Sequence, residues 1–192
     1  ELEALPVEGD AAFIQFSSGS TGRPRGAVIS PRAAALSAQV MAEGLHLTSS
    51  DIGVSWLPFF HDMGLVGVVL TSLAAGFPVH VLQPGEFLLR PARWLELCSR
   101  VGATMTVAPN FAYELVLRRV RHPKDLDLSP LRSMLNGSEP VHRATIERFE
   151  AAFAPVGLRK GVVLPVYGLA ENVLGVAFQP QGAPDADLAL EG

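Results

Sequence analysis

The sequence predicts an α/β fold, a mostly parallel sheet flanked by helices, and three observations predict it. Short apolar runs of strand length alternate with longer segments of helical periodicity. Each junction of unusual composition, after Phe16, Leu57, Val107, Leu135 and Val166, follows one of those runs. In such folds ligands bind beyond the carboxyl ends of strands, so the junctions point to one shared cleft. The chain of 192 residues is 48% apolar and 18% charged, which suits a globular domain with a buried core.

Residues 1–11 read as a lead-in. Ala12 to Phe16 reads as a buried strand, and Ala27-Val28-Ile29 as a second one. Ser30-Pro31 is a helix start, with Ser as N-cap and Pro at the first helical position. That helix runs to about Glu43, and Gly44 offers a C-cap. Leu47 to Asp51 is a polar turn, and Gly53 to Leu57 is a strand stopped by Pro58. Phe59 to Asp62 is a junction before Met63 to Ala75, which reads as a helix buried on all sides and ended by Gly76. Pro78 to Leu82 is the next strand.

Pro91 opens a helix with Trp94, Leu95, Cys98 and Val101 on one face. Ala103 to Val107 is a strand, and Pro109-Asn110 leads into a helix carrying Phe111, Leu115 and Val116. Arg118 to Asp127 is a charged, solvated connection. Leu131 to Leu135 is a strand ending at Asn136 to Pro140, and the next helix shows Ile146, Phe149 and Phe153 at helical spacing. Val162 to Val166 is a strand ending at Tyr167 to Glu171. Val173 to Phe178 reads as one more strand, and the tail from Gln179 as loop or linker.

The net charge of −4 argues against a nucleic-acid surface. A single cysteine, Cys98, rules out an intrachain disulfide and a thiolate metal cluster, and its place on an apolar helix face makes it core. No segment resembles a signal peptide, and Met63 to Ala75 is too short to span a bilayer; a cytoplasmic setting is expected. The chain opens on Glu1-Leu2-Glu3 without an initiator methionine, so an excised or truncated piece is expected.

The stretch Ser17-Ser18-Gly19-Ser20-Thr21-Gly22-Arg23-Pro24-Arg25-Gly26 lies between two strands. Glycines let a backbone approach an anion, N–H groups and hydroxyls donate to it, and Arg25 adds fixed charge. A flexible Gly/Ser linker is the plain alternative, against which stand the flanking strands and the stiffening Pro24. Two better-known phosphate fingerprints do not fit: where a P-loop needs Gly-Lys, five residues after Gly19 comes Pro24, and Ser17 stands where the dinucleotide pattern needs glycine.

This loop resembles the phosphate loop of the adenylate-forming superfamily, and Tyr167-Gly168-Leu169-Ala170-Glu171 resembles its aromatic-Gly-x-x-Glu motif. Ser55-Trp56-Leu57-Pro58-Phe59-Phe60-His61-Asp62-Met63-Gly64-Leu65, Pro109 to Leu115 and Asn136 to Pro140 are similar to the fatty acyl-AMP ligase branch. The resemblance runs from about residue 12 to about residue 176. It implies that residues 1–192 are the central part of the AMP-binding N-terminal domain, with the phosphate loop at 17–26, the acyl-pocket region at 55–115, adenine and Mg²⁺ motifs at 136–140 and 167–171, and no C-terminal domain.

The implied activity is ATP-dependent activation of a fatty acid as an acyl-adenylate, then transfer to the phosphopantetheine thiol of an acyl carrier protein, often beside a polyketide or peptide synthase. The implied cofactors are ATP and Mg²⁺. By the same resemblance, Ser17, Ser18, Gly19, Ser20, Thr21, Gly22 and Arg25 hold phosphates, with Thr21 giving a hydroxyl and joining Glu171 at the metal. Asn136, Gly137, Ser138 and Glu139 wall the adenine pocket, with Gly137 permitting close approach; Ser138 could equally cap a helix. Tyr167 and Gly168 meet the adenine, although a tyrosine at a strand end is more often core.

His61 sits near the reacting carboxylate by this resemblance, and no other histidine stands at metal-ligand spacing to it. The helix from Met63 and the segment Asn110 to Tyr113 line an apolar tunnel, which sequence does not separate from core packing. Arg25 departs from the family's usual lysine, keeping charge but not geometry. Only 21 residues follow Glu171, and counterparts of the family's ribose-binding aspartate and catalytic lysine are not evident; a fragment inactive alone is expected. An acyl-CoA synthetase fragment and a non-catalytic nucleotide-binding module are the competing readings.

Overall fold

The computed structural model describes residues 9–17, 25–120 and 125–178. Its centre is a six-stranded sheet in the order β4-β3-β5-β6-β7-β8. These strands are β3 (Gly53–Ser55), β4 (Val79–Val81), β5 (Met105–Ala108), β6 (Ser133–Asn136), β7 (Val163–Leu169) and β8 (Leu174–Phe178). All neighbours run parallel except β7 and β8, which are antiparallel. Crossovers between parallel strands need helices, and the sequence supplies them.

The helices are α1 (Pro31–Gly44), α2 (Asp62–Gly64), α3 (Thr71–Ala75), α4 (Pro84–Leu89), α5 (Ala92–Val101), α6 (Asn110–Arg119) and α7 (Arg143–Phe153). Ser30 caps α1, its side chain accepting from Ala33 N, as the Ser-Pro pair predicts. Gly76 closes α3 with φ of +76°. Gly44 does not cap α1: it lies inside the helix, and the left-handed residue is His46, between buried Leu45 and Leu47. Anchoring those two leucines in the core fixes the turn more firmly than glycine's freedom at 44 does.

The first two strands, β1 (Phe13–Ser17) and β2 (Arg25–Ile29), form a separate antiparallel pair. The expectation of a buried first strand fails, because Ile14, Phe16 and Val28 are 53%, 65% and 67% exposed. Ile14 and Val28 are cross-strand partners on one face of a two-stranded ribbon, and nothing among the described residues covers that face.

The segment expected as one buried helix is three pieces: α2, a π-helical stretch over Leu65–Leu70, and α3. Val66 and Val68 are buried while Leu73 is 73% exposed, so one side is open. Helix α4 was not foreseen from the sequence; its glutamate at the third position, Glu86, returns to the Gln83 N–H in a capping box.

A continuous aromatic chain fills the core. Trp56 stacks on Phe87 at 3.9 Å, Trp94 meets both edge-on, and Tyr113, Phe149 and Phe153 extend the series. Trp94 Nε1 donates to Thr106 and Tyr113 OH to the Leu135 carbonyl, so their polar atoms are satisfied. Tyr113 is therefore core, not a tunnel wall. Burial pushes the thiol of Cys98 far above its ordinary range, as expected of a core cysteine.

Candidate functional site

Beyond the carboxyl end of β6 and along β7 lies a cavity of about 260 Å³. Its wall includes Gln15 and Phe16 of β1, His61 to Met63, Ser138, and residues 166–171 of β7 and the turn that follows. It thus brings together His61, Ser138, Tyr167, Gly168 and Glu171 from three separate stretches of sequence.

The β7 end differs from expectation. The strand does not stop at Val166; it continues through Tyr167 and Gly168 to Leu169 because β8 folds back on it. The pairing shifts register at Tyr167/Gly168, and a methyl group at Gly168 would strike the Leu174 carbonyl. Glycine is needed there for backbone approach. Tyr167 is 58% exposed and is not core, so its ring face is available for stacking. Glu171 sits exposed in a 3₁₀ turn, Ala170–Asn172, and makes no hydrogen bond or ion pair to another described residue. The next residue but one, Val173, has φ of +65°, an unusual conformation for a β-branched residue.

The Asn136–Glu139 segment divides. Of its four residues only Ser138 lines the cavity. Asn136 is fully buried, and its Nδ2 donates to Asn110 Oδ1 at 3.1 Å, which also accepts from His142 N. A Cβ on Gly137 would lie 2.7 Å from the Val166 carbonyl, so the close approach at this glycine is to strand β7. Glu139 accepts from Phe111 N in the first turn of α6, a favourable place for a carboxylate. Ser138 is not a helix cap: α7 has His142 at that position, and Ser138, with φ of +70°, donates to Met63 Sδ.

His61 sits where β3's exit turns into α2. Its Nδ1 lies 2.7 Å from Asp62 Oδ1, and this hydrogen-bonded carboxylate holds the imidazole above its ordinary pKa against a smaller opposing push from burial. Gln15 Nε2 donates to the Phe60 carbonyl next door, tying β1 to this junction.

Ser18, Gly19, Ser20, Thr21 and Gly22 lie outside the described residues. Their flanks are placed: Ser17 pairs with Arg25 across the end of the β1–β2 ribbon, beside cavity residues Gln15 and Phe16. Arg25 itself is exposed and does not line the cavity. No group of three or more His, Cys, Asp or Glu side chains poised for a metal exists among the described residues. A lone exposed carboxylate such as Glu171 still suits Mg²⁺, which is usually held by one or two carboxylates together with substrate phosphates.

Of the helix from Met63, Met63 and Gly67 line the cavity; the sequence missed the rest of the apolar wall, which is Met41 of α1, Leu45 just past its end, Val107, Leu135 and Leu174. Met41 and Leu45 stand at i, i+4 spacing, which signals a buried face without saying what it faces. No helix among the described residues is long and apolar enough to cross a membrane.

Comparison with known proteins adds four findings. The sequence model of the AMP-binding enzyme family matches residues 2–190. The chain is 40% identical over 181 residues to the medium-chain-fatty-acid–[acyl-carrier-protein] ligase JamA of Moorena producens, covering 93% of this chain and 31% of that protein. It is 41% identical over 182 residues to the long-chain-fatty-acid–AMP ligase FadD32 of Mycolicibacterium smegmatis, covering 91% of this chain and 29% of that protein. Among solved structures, a fatty acyl-adenylate ligase from L. pneumophila in complex with acyl adenylate and pyrophosphate superposes with a TM-score of 0.87 at 37% identity, over 92% of this chain and 32% of that one. The chain spans about a third of the length of the relatives it matches.

Proposed function

Given that this chain belongs to the AMP-binding enzyme family, we propose that it is the nucleotide- and acyl-binding segment of an ATP-dependent fatty acyl-AMP ligase that serves an acyl carrier protein. Its mixed sheet and helices match the N-terminal domain of adenylate-forming enzymes. One observation carries the reading: His61, Ser138, Tyr167 and Glu171 share a cavity with an apolar wall, next to the ends of the ribbon that bears the Ser/Gly/Thr loop.

In the proposed reaction a carboxylate oxygen of the fatty acid attacks the α-phosphorus of ATP. The bond to the β,γ-phosphates breaks, and pyrophosphate leaves. A thiol then attacks the acyl carbonyl and AMP leaves. In-line displacement needs alignment and charge stabilisation more than covalent help. Loop residues 17–26 bind the β- and γ-phosphates, and the 136–140 and 167–171 segments hold the adenine end, with Tyr167 stacking on the base. His61 faces the carboxylate, and the apolar wall within region 55–115, with Met41, Leu45 and Leu174, takes the first carbons of the acyl chain. Glu171, with Thr21, holds Mg²⁺, which when bound offsets phosphate charge. The proposed setting is the cytoplasm, beside a polyketide or peptide synthase.

The test, made on the full-length protein that contains this segment, is ATP–pyrophosphate exchange driven by a medium-chain fatty acid. Exchange that requires Mg²⁺ and falls by roughly two orders of magnitude in Glu171→Ala supports the proposal. ATP binding that is Mg²⁺-independent and indifferent to Glu171→Ala favours a non-catalytic nucleotide module. Offering CoA against phosphopantetheinylated carrier protein as acceptor separates the ligase from an acyl-CoA synthetase.

A further inference from the structure

Asp62 lies at the cavity wall yet has no part in the reading above. Its side chain is 12% exposed, whereas that of its neighbour His61 is 49% exposed. The Met63 N–H is shared between Asp62 Oδ1 at 2.7 Å and His61 Nδ1 at 3.2 Å, and the nearer, charged oxygen takes it. Oδ1 also lies 2.7 Å from Nδ1, a separation at which two lone pairs would repel and a proton on Nδ1 is needed between them. The carboxylate is thus a buried anchor fixed by the backbone at the start of α2, and the ring it holds reaches outward. An anion against one imidazole nitrogen keeps the proton on that nitrogen and leaves the other as the working atom.

We infer that Asp62 is the positioning residue for His61, holding the proton on Nδ1 so that Nε2 is the atom presented to the cavity. What Nε2 then meets, a fatty carboxylate, rests on the function proposed above; the orientation itself does not. The titratable groups that line the cavity together with the ring are Asp62 on its own element, Tyr167 of β7 and Glu171 of the following turn. The Asp62 carboxylate favours the doubly protonated ring, whose Nε2–H is the donor an incoming carboxylate needs. Removing Asp62 leaves His61 in the wall but frees its ring to rotate and to exchange tautomers.

The experiment is imidazole ¹⁵N–¹H NMR of the ¹⁵N-histidine-labelled chain, with His61 assigned as the signal lost in His61→Gln. In the wild type we expect the neutral ring of His61 to carry its proton on Nδ1. In Asp62→Ala we expect the Nε2–H form to dominate and proton affinity to fall on the order of tenfold. Decanoate should shift the wild-type Nε2 signal, with on the order of tenfold more needed in Asp62→Ala. An Nε2–H tautomer in the wild type overturns the inference even if Asp62→Ala fails to fold. So does a folded Asp62→Ala, or Asp62→Leu, with the tautomer and titration midpoint unmoved. The inferred tautomer without any decanoate response leaves the Asp62 assignment standing and counts against the fatty-acid reading.

Discussion

The two ends of the central sheet are built on opposite principles. Before the amino ends of β3, β5 and β6, polar groups are paired to completion. Asp51, 4% exposed, accepts from Arg132 through both carboxylate oxygens, from Thr104 and from Thr48 N. Arg132 also donates to the carbonyls of Leu45 and His46, tying the end of α1 to the sheet. At the carboxyl end, Glu171 and Tyr167 stand exposed, Ser138 and Val173 hold positive φ, and one face of the β1–β2 ribbon is open. The closed end holds the fold together, while the open end leaves groups unsatisfied where a ligand can satisfy them.

The sharpest way to break this contrast is to open the closed end. Arg132→Ala strands a buried carboxylate and should cost about 3 kcal/mol, read from urea unfolding. Acid should do the same reversibly. Burial alone raises the Asp51 pKa, but the hydrogen bonds and charge of Arg132, Thr104 and Thr48 outweigh it and hold the group at about 2, below its ordinary 3.8. A depressed folded-state pKa gives stability that is complete above 3.8 and lost as pH falls from there through about 2. That loss should amount to about 2 kcal/mol and vanish from the pH profile of Asp51→Asn.

Effects at the open end should be smaller in stability and larger in binding. Gly168→Ala drives a methyl into the Leu174 carbonyl, and should cost about 1–2 kcal/mol while displacing Tyr167 and weakening ATP binding, measurable by calorimetry. Glu171→Gln touches no described partner, so unfolding should shift by less than about 0.5 kcal/mol while Mg²⁺-dependent exchange is lost. If it destabilised the chain like Arg132→Ala, the contrast between the ends would fail.

Much of the architecture was readable from the chain. Five parallel strands and their crossover helices announce themselves by apolar runs and periodicity, and Ser30-Pro31 and Gly76 mark helix ends by local sterics. The site was legible in part: the motif stretches containing His61, Ser138, Tyr167 and Glu171 do meet. What stayed hidden depends on partners far along the chain. Asp51 and Arg132 are 81 residues apart, Gly137 is small because of Val166, and Glu139 serves the start of α6. The ribbon's separation from the main sheet and the π-helical stretch likewise carry no local signature.

By itself, then, the sequence determined the order of strands and helices, several of their ends, and which short segments carry unusual chemistry. These follow from backbone sterics, capping and apolar spacing, which act within a few residues. Only the tertiary structure decided which of those segments share a cavity, that β7 runs on beneath β8, and that Asp62 is turned toward the His61 ring. Such choices belong to groups that compete for the same space or the same hydrogen bond, and that competition exists only once the chain has folded.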